Sequence, residues 1–172
     1  MPRTPRSLLA PNASPMTLTG TITYVVGRQL AVIIDPGSSE QSHLDALARE
    51  VEGADSVTVI VTHDHPDHSA GAAALMERTG GRRVTGAQAD GMRIETDDGE
   101  LVVVHTPGHT SDHIALHWPD ASAVFCGDLM MGGLETTVVA PPEGDLRAYL
   151  RSLERLRELA PEVIYPAHGP AI

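Results

Sequence analysis

Residues 62–68, THDHPDH, hold three histidines and two aspartates on either side of a single proline. Neutral imidazoles and carboxylates are the donors preferred by borderline divalent cations of the zinc type, so metal chemistry is the first reading. From composition alone, H-x-H-x-D-H would arise somewhere in the chain with a probability of roughly 0.002, which makes chance a poor explanation. His63 and His65 alternate across Asp64 and can point the same way, which leaves Asp67 and His68 to face a second centre. Asp64 and Pro66 occupy free positions and are assigned no ligand role. The competing reading, histidines that only cap the next helix or bond the backbone, does not account for the whole cluster.

Two centres need more donors, and other segments supply them. TPGHTSDH provides His109, FCGDLMMG provides Asp128 and YPAHGP provides His168, each next to glycine just past an apolar run. Glycine lets the backbone bend sharply enough to present a side chain at a sheet edge. His105 and His113 are open between a role orienting ligands and a purely structural one. His43 and His117 are read as surface positions, and Cys126 as a buried, inert thiol.

The elements that must position these groups alternate between strand and helix. GTITYVVG (20–27) and LAVIIDPG (30–37) read as adjacent strands, with Asp35, Pro36 and Gly37 turning the chain. Leu44, Leu47, Ala48 and Val51 make the stripe of an amphipathic helix over 40–51, with Ser39 as its expected N-cap. VTVIVT (57–62) is a buried strand, and SAGAAALMERTG (69–80) reads as a helix stopped by Gly80 and Gly81. Strands follow at 82–86, 92–97, 100–106, 113–118 and 123–128. A helix over 145–159 carries an apolar face of Leu146, Tyr149, Leu150, Leu153, Leu156 and Leu159, and a last strand, EVIYP (162–166), leads to His168. Strands outnumber helices, so the fold class is α/β of the α+β kind, with two mixed sheets flanked by helices.

Composition sets limits on partners. A net charge of −11 disfavours an extended nucleic-acid surface or an anionic membrane, and no apolar run reaches the length of a membrane span. All twelve basic residues are arginine, which removes Schiff-base and P-loop lysine chemistry, and five aromatics are too few for a base-stacking platform. One cysteine and no signal-peptide pattern make a reducing cytoplasm the default. At 172 residues the chain is expected to form one domain over 1–172, without a C-terminal accessory region, since it ends four residues past His168.

Through T-H-x-H-x-D-H (62–68), TPGHT (106–110), GD (127–128) and PAHG (166–169), the sequence resembles the metallo-β-lactamase superfamily. APNASPMTLTGTITYVVG followed by IIDPG, and TTVVAPPEGDLRAYLRSLERL, are most similar to the small β-lactamase-like hydrolases grouped with glyoxalase II and the lactamase-like endoribonucleases. The resemblance implies a four-layer αββα sandwich. It further implies that His63, His65 and His109 hold one metal ion, that Asp67, His68 and His168 hold another, and that Asp128 bridges them. Two departures bear on substrate contacts: Ile22 replaces a common Asn, and GGLETT (132–137) replaces an aromatic-plus-serine version.

The chemistry implied is hydrolysis by a dinuclear site, with zinc favoured and manganese or iron as alternatives. A shared water, its pKa brought near neutrality, acts as a bridging hydroxide on an ester-type bond, with Asp67 orienting it. The substrate is a small ester or thioester, or a phosphodiester such as RNA. Two other readings stand beside this: a di-iron oxidoreductase of the same fold, and a metal-binding domain without catalysis. The oxidoreductases usually carry a flavodoxin partner and an acidic residue in place of one histidine, and this sequence shows neither. The oligomeric state is not legible from the sequence.

Overall fold

The structure, a computed structural model, describes residues 3–133, 137 and 139–172, apart from the side chain of Ala87. The first half of the chain forms strands β1 (Arg6–Leu9), β2 (Ile22–Val26) and β3 (Leu30–Ile34), helix α1 (Gln41–Glu50), strand β4 (Ser56–Val61), helices α2 (Pro66–Ser69) and α3 (Ala72–Thr79), and strand β5 (Arg82–Thr85). The second half forms β6 (Arg93–Thr96), β7 (Gly99–His105), β8 (Ile114–Trp118), β9 (Ala123–Gly127), helix α4 (Leu146–Glu158) and β10 (Val163–Pro166). Each half makes one five-stranded sheet, ordered β1-β2-β3-β4-β5 and β10-β9-β8-β7-β6. Both are mixed: β3-β4, β4-β5 and β9-β10 run parallel and the remaining pairs antiparallel.

The two-residue period of a strand creates the layers. In the first sheet Tyr24, Val26, Val32, Ile34 and Ile60 face inward, onto Leu101, Val103, Ile114, Leu116, Trp118 and Phe125 of the second. Their neighbours Val25, Ile33, Val57, Val59 and Val61 face outward, under Leu44 and Leu47 of α1 and Leu75 of α3. On the other side Val104, Ala115, Val124 and Cys126 pack beneath Tyr149 and Leu156 of α4. The result is the four-layer αββα sandwich. The scarce aromatics are spent in its centre, where Phe125 stacks on Trp118 and Tyr165 at 6.0 and 5.2 Å. Among the described residues, no helix is long and apolar enough to cross a membrane.

Several local expectations need correction. The helix read over 69–80 begins later, at Ala72, and a separate short helix, Pro66–Ser69, precedes it; between them lies Gly71, where a Cβ would strike the carbonyls of Pro36 and Ser38. Its stop is as read, with Gly80 left-handed at φ 66°. Helix α1 is preceded by Glu40, not Ser39, and makes no side-chain cap. His43 is buried, not on the surface, with Nε2 3.1 Å from Thr23 Oγ1. On α4 the buried face is Ala148, Tyr149, Ser152 and Leu156, while Leu146 and Leu150 are exposed. Small residues face inward there because Ser152 donates to the carbonyl of Pro107 at 2.6 Å, bringing the helix against the loop that carries His109.

Candidate metal centre

The C-terminal ends of strands from both sheets meet at one edge of the sandwich, and the sequence-predicted residues gather there. His63 and His65 follow β4, His109 follows β7, Asp128 follows β9 and His168 follows β10. Asp67 and His68 sit on α2, where Pro66 at the first helical position fixes φ for the turn and lacks the N–H that would go unpaired. Two glycines make the approach possible. A Cβ at Gly37 would collide with the carbonyl of Asp67, and one at Gly127, at φ 52°, would meet His113 Nε2 at 2.7 Å and Thr62 Oγ1 at 2.8 Å.

All seven residues fall into two donor groups: His63, His65 and His109, and Asp67, His68, Asp128 and His168. Each imidazole spends one nitrogen on an outer partner and turns the other inward. His63 Nδ1 lies 3.2 Å from Thr62 Oγ1, whose own proton goes to Asp35 Oδ2 at 2.8 Å. His68 Nδ1 donates to Asp35 Oδ2 at 2.9 Å, and His168 Nδ1 to the Gly20 carbonyl at 3.4 Å. His65 Nε2 faces Glu143 Oε2 at 2.9 Å, and His109 Nδ1 faces Thr137 Oγ1 at 3.5 Å.

In the first group the inward nitrogens are 3.0 Å (His63–His65) and 3.2 Å (His65–His109) apart. Four-coordinate bonds of 2.0–2.1 Å give an edge of about 3.3 Å, so the three are spaced as ligands of one ion. In the second group Asp128 Oδ1 lies 3.2 Å from His68 Nε2 and 3.4 Å from His168 Nε2, and Asp67 Oδ2 lies 3.3 Å from His168 Nε2. The other Asp128 oxygen reaches toward the first group, 3.7 Å from His109 Nε2. Asp128 therefore stands between the two.

Burial makes this arrangement expensive. His63, His68 and His168 have no exposed surface, and His68 Nε2, His168 Nε2 and Asp128 Oδ1 are buried without a hydrogen bond despite these short separations. An unpaired buried polar group costs about 1–3 kcal/mol, so a fold that keeps three of them facing one point fits a cation that would satisfy them together. Electrostatics agrees. Burial pulls His68 down, yet the carboxylates of Asp35 and Asp128 win and raise its pKa well above the usual histidine value. Burial opposes ionisation of Asp128 too, and His68 and the neighbouring imidazoles overcome it and hold the carboxyl below the usual range. In this setting a proton and a cation compete for the same nitrogen. Burial, reinforced by four neighbouring imidazoles, depresses His63, which keeps it neutral and able to donate its lone pair.

Sequence reading missed Asp35, treating it as a turn. It is buried with φ 52°, and its carboxylate accepts from the Thr62 amide at 2.7 Å, the Thr62 hydroxyl and His68. The available signal was its place directly after an apolar strand, the same place that singled out the other site residues. His113, left open before, is resolved: its Nε2 accepts the Asp128 amide at 3.2 Å, so its proton is on Nδ1 and goes to Thr106 Oγ1 at 2.8 Å. Burial lowers its pKa to about 4, consistent with a neutral ring. His105 instead turns away to the Ser111 carbonyl at 3.0 Å, and His117 is half-buried on β8. Cys126 is buried with its thiol pushed up to about 12, as an inert thiol should be.

A cavity of about 420 Å³ opens over the donor groups, lined by Met16, Thr17, His65, Asp67, Met131 and Thr137 among others. Ile22 is not part of its lining: the side chain packs into the inter-sheet core and its amide holds the Ala167 carbonyl at 2.8 Å. Within GGLETT, Leu134, Glu135 and Thr136 lie outside the described residues.

A sequence profile described as the metallo-beta-lactamase superfamily matches residues 16–97 and 86–168. The chain belongs to this superfamily. Superfamily relatives include the lactamase-like protein adaB of Aspergillus niger, 34% identical over 96% of this chain and 55% of its own length. The hydroxyacylglutathione hydrolase of Cereibacter sphaeroides is 36% identical over 77% of this chain and 58% of its own length. The atrochrysone carboxyl ACP thioesterase of Aspergillus chevalieri is 32% identical over 98% and 58%. The chain thus spans little more than half the length of the curated relatives it matches. Among solved structures, a metallo-beta-lactamase family protein from Thermus thermophilus superposes with a TM-score of 0.80 at 20% identity, covering 98% of this chain and 74% of its own. A second, TTHA1623 in a di-iron-bound form, gives 0.72 at 26% identity, covering 99% and 94%.

Proposed function

We propose that the chain is a hydrolase that binds two divalent cations and cleaves a thioester. The observation that carries this reading is Asp128, one oxygen turned to each donor group, among buried atoms that have no other partner. His63, His65 and His109 would hold one ion, Asp67, His68 and His168 the other, and Asp128 both. Zinc suits a donor set of imidazole and carboxylate, and the di-iron-bound relative supports iron as the alternative. When bound, the ions polarise the scissile carbonyl and bring the pKa of a water near neutrality.

The chain's own residues supply the rest. Asp67 is about one-quarter exposed and lines the cavity, where its carboxylate would accept a hydrogen bond from the attacking water and aim the oxygen at the carbonyl. The Asp35 carboxylate fixes the ring of His68, and His113 fixes the backbone of Asp128, so the donors do not have to reorganise when substrate arrives. Met16 and Met131 present apolar surface for an acyl group, and the two relatives named for hydroxyacylglutathione and acyl-carrier-protein thioesters support that bond. A phosphodiester competes within the same chemistry. Among the described residues no arginine lines the cavity, and the chain carries −11, which weighs against an RNA backbone.

The test is elemental analysis of the purified chain together with a panel of acyl thioesters and a chromogenic phosphodiester, with zinc, manganese or iron added. Close to two ions per chain and preferential thioester cleavage are expected. Metal content near zero after growth in zinc-supplemented medium sinks the reading.

A further inference from the structure

Of the five site imidazoles, four are fixed by deep burial, and His65 is the exception, with one-third of its side chain exposed. Its Nδ1 faces the ring nitrogens of His63 and His109, so its proton belongs on Nε2, which points at Glu143 Oε2 2.9 Å away. Glu143 is itself 65% exposed and lies 78 residues further along the chain.

The carboxylate is nonetheless held in place. The next residue, Gly144, closes a tight turn onto the Ala140 carbonyl at 2.8 Å, and a Cβ there would strike the Ala140 amide. Asp145 follows, donating to the Gly108 carbonyl at 2.9 Å and capping α4 through the amides of Arg147 and Ala148. The turn is thereby fastened to the segment directly before His109, the third member of His65's own donor group. His65 also lines both the cavity over the donor groups and a second one of about 450 Å³, which Glu143 borders.

We propose that Glu143 is a positioning residue for His65: by accepting Nε2–H it fixes the tautomer, keeps Nδ1 turned inward and makes that nitrogen a stronger donor. It supplies from a surface loop what buried partners supply to the other four rings. The inference rests on the metal-centre reading above. An exposed pair contributes little to folding, so the effect belongs in cation affinity, not stability.

The experiment takes wild type, Glu143→Gln and Glu143→Ala, stripped by chelation and titrated with zinc against a chromogenic chelator, with the visible spectrum of the cobalt-loaded chain as a second readout. Glu143→Ala should weaken one of the two ions by about tenfold to a hundredfold, the range for loss of a partner behind a ligand. Glu143→Gln, which keeps an acceptor without the charge, should lose less. The other ion and the melting temperature of the stripped chain should not move, and the cobalt spectrum should change in Glu143→Ala. Wild-type affinity in both variants, equal weakening of both ions, or a lowered melting temperature overturns the proposal. A wild-type chain that takes up no ion overturns the metal-centre reading itself, and does so before any variant is made.

Discussion

The two donor groups are built on different principles. The group of Asp67, His68, Asp128 and His168 is anchored in the body of the sandwich, where His68 leans on the buried Asp35 and His168 on the backbone of Gly20. The group of His63, His65 and His109 is buried at His63 and His109, while His65 leans on an exposed carboxylate from a loop. In the first case, orienting a ligand and holding the fold together are one task, done by the same hydrogen bonds. In the second they separate at His65, which can be perturbed with little cost to the fold.

That contrast sets the size of each expected effect. The largest belongs to Asp35→Ala, which strips an acceptor from the Thr62 amide, the Thr62 hydroxyl and His68 at once; we expect about 3–5 kcal/mol of destabilisation in denaturant titrations. A loss as small as that of an ordinary surface substitution would erase the distinction between the groups. Next is Asp128→Ala, which removes the donor common to both. Turnover should fall by more than the 10–100-fold typical of an outer partner, and no more than one ion should remain bound, as measured by elemental analysis. Smaller again, Met16→Ala should cost about 1–2 kcal/mol in kcat/KM for thioesters with apolar acyl chains and little for acetyl, since Met16 touches the cavity only through an apolar side chain.

The smallest effect is His43→Gln, a control on helix α1 and outside both donor groups. Burial lowers the pKa of His43, so the folded chain keeps it neutral while the unfolded chain protonates below about 6.5. Its contribution to stability is therefore full above that pH and declines as pH falls toward the depressed folded value. Melting curves of the metal-free variant should lose less stability than wild type between pH 7.5 and 5.5; identical slopes would show that His43 does not titrate on unfolding.

What could be read in advance followed from short-range regularity. Short apolar, β-branched runs such as LAVII and VTVIVT marked the strands, and His or Asp beside glycine at strand ends marked His109, Asp128 and His168 before any topology was known. Asp35 escaped because a lone Asp before Pro-Gly is also what an ordinary turn looks like. His43 escaped because a polar residue on a helix reads as exposed until a partner is known, and the partner, Thr23, lies on a neighbouring strand.

The sequence by itself determined the donor types, the strand ends that carry them and the layered pattern of apolar residues, because each depends on neighbours within a few positions. Only the tertiary structure decided which nitrogen of each ring faces inward and that Asp35, His113 and Glu143 stand behind three of the donors. Those pairings join residues 33, 15 and 78 positions apart, and a hydrogen bond is selected by direction and distance in space, not by spacing along the chain.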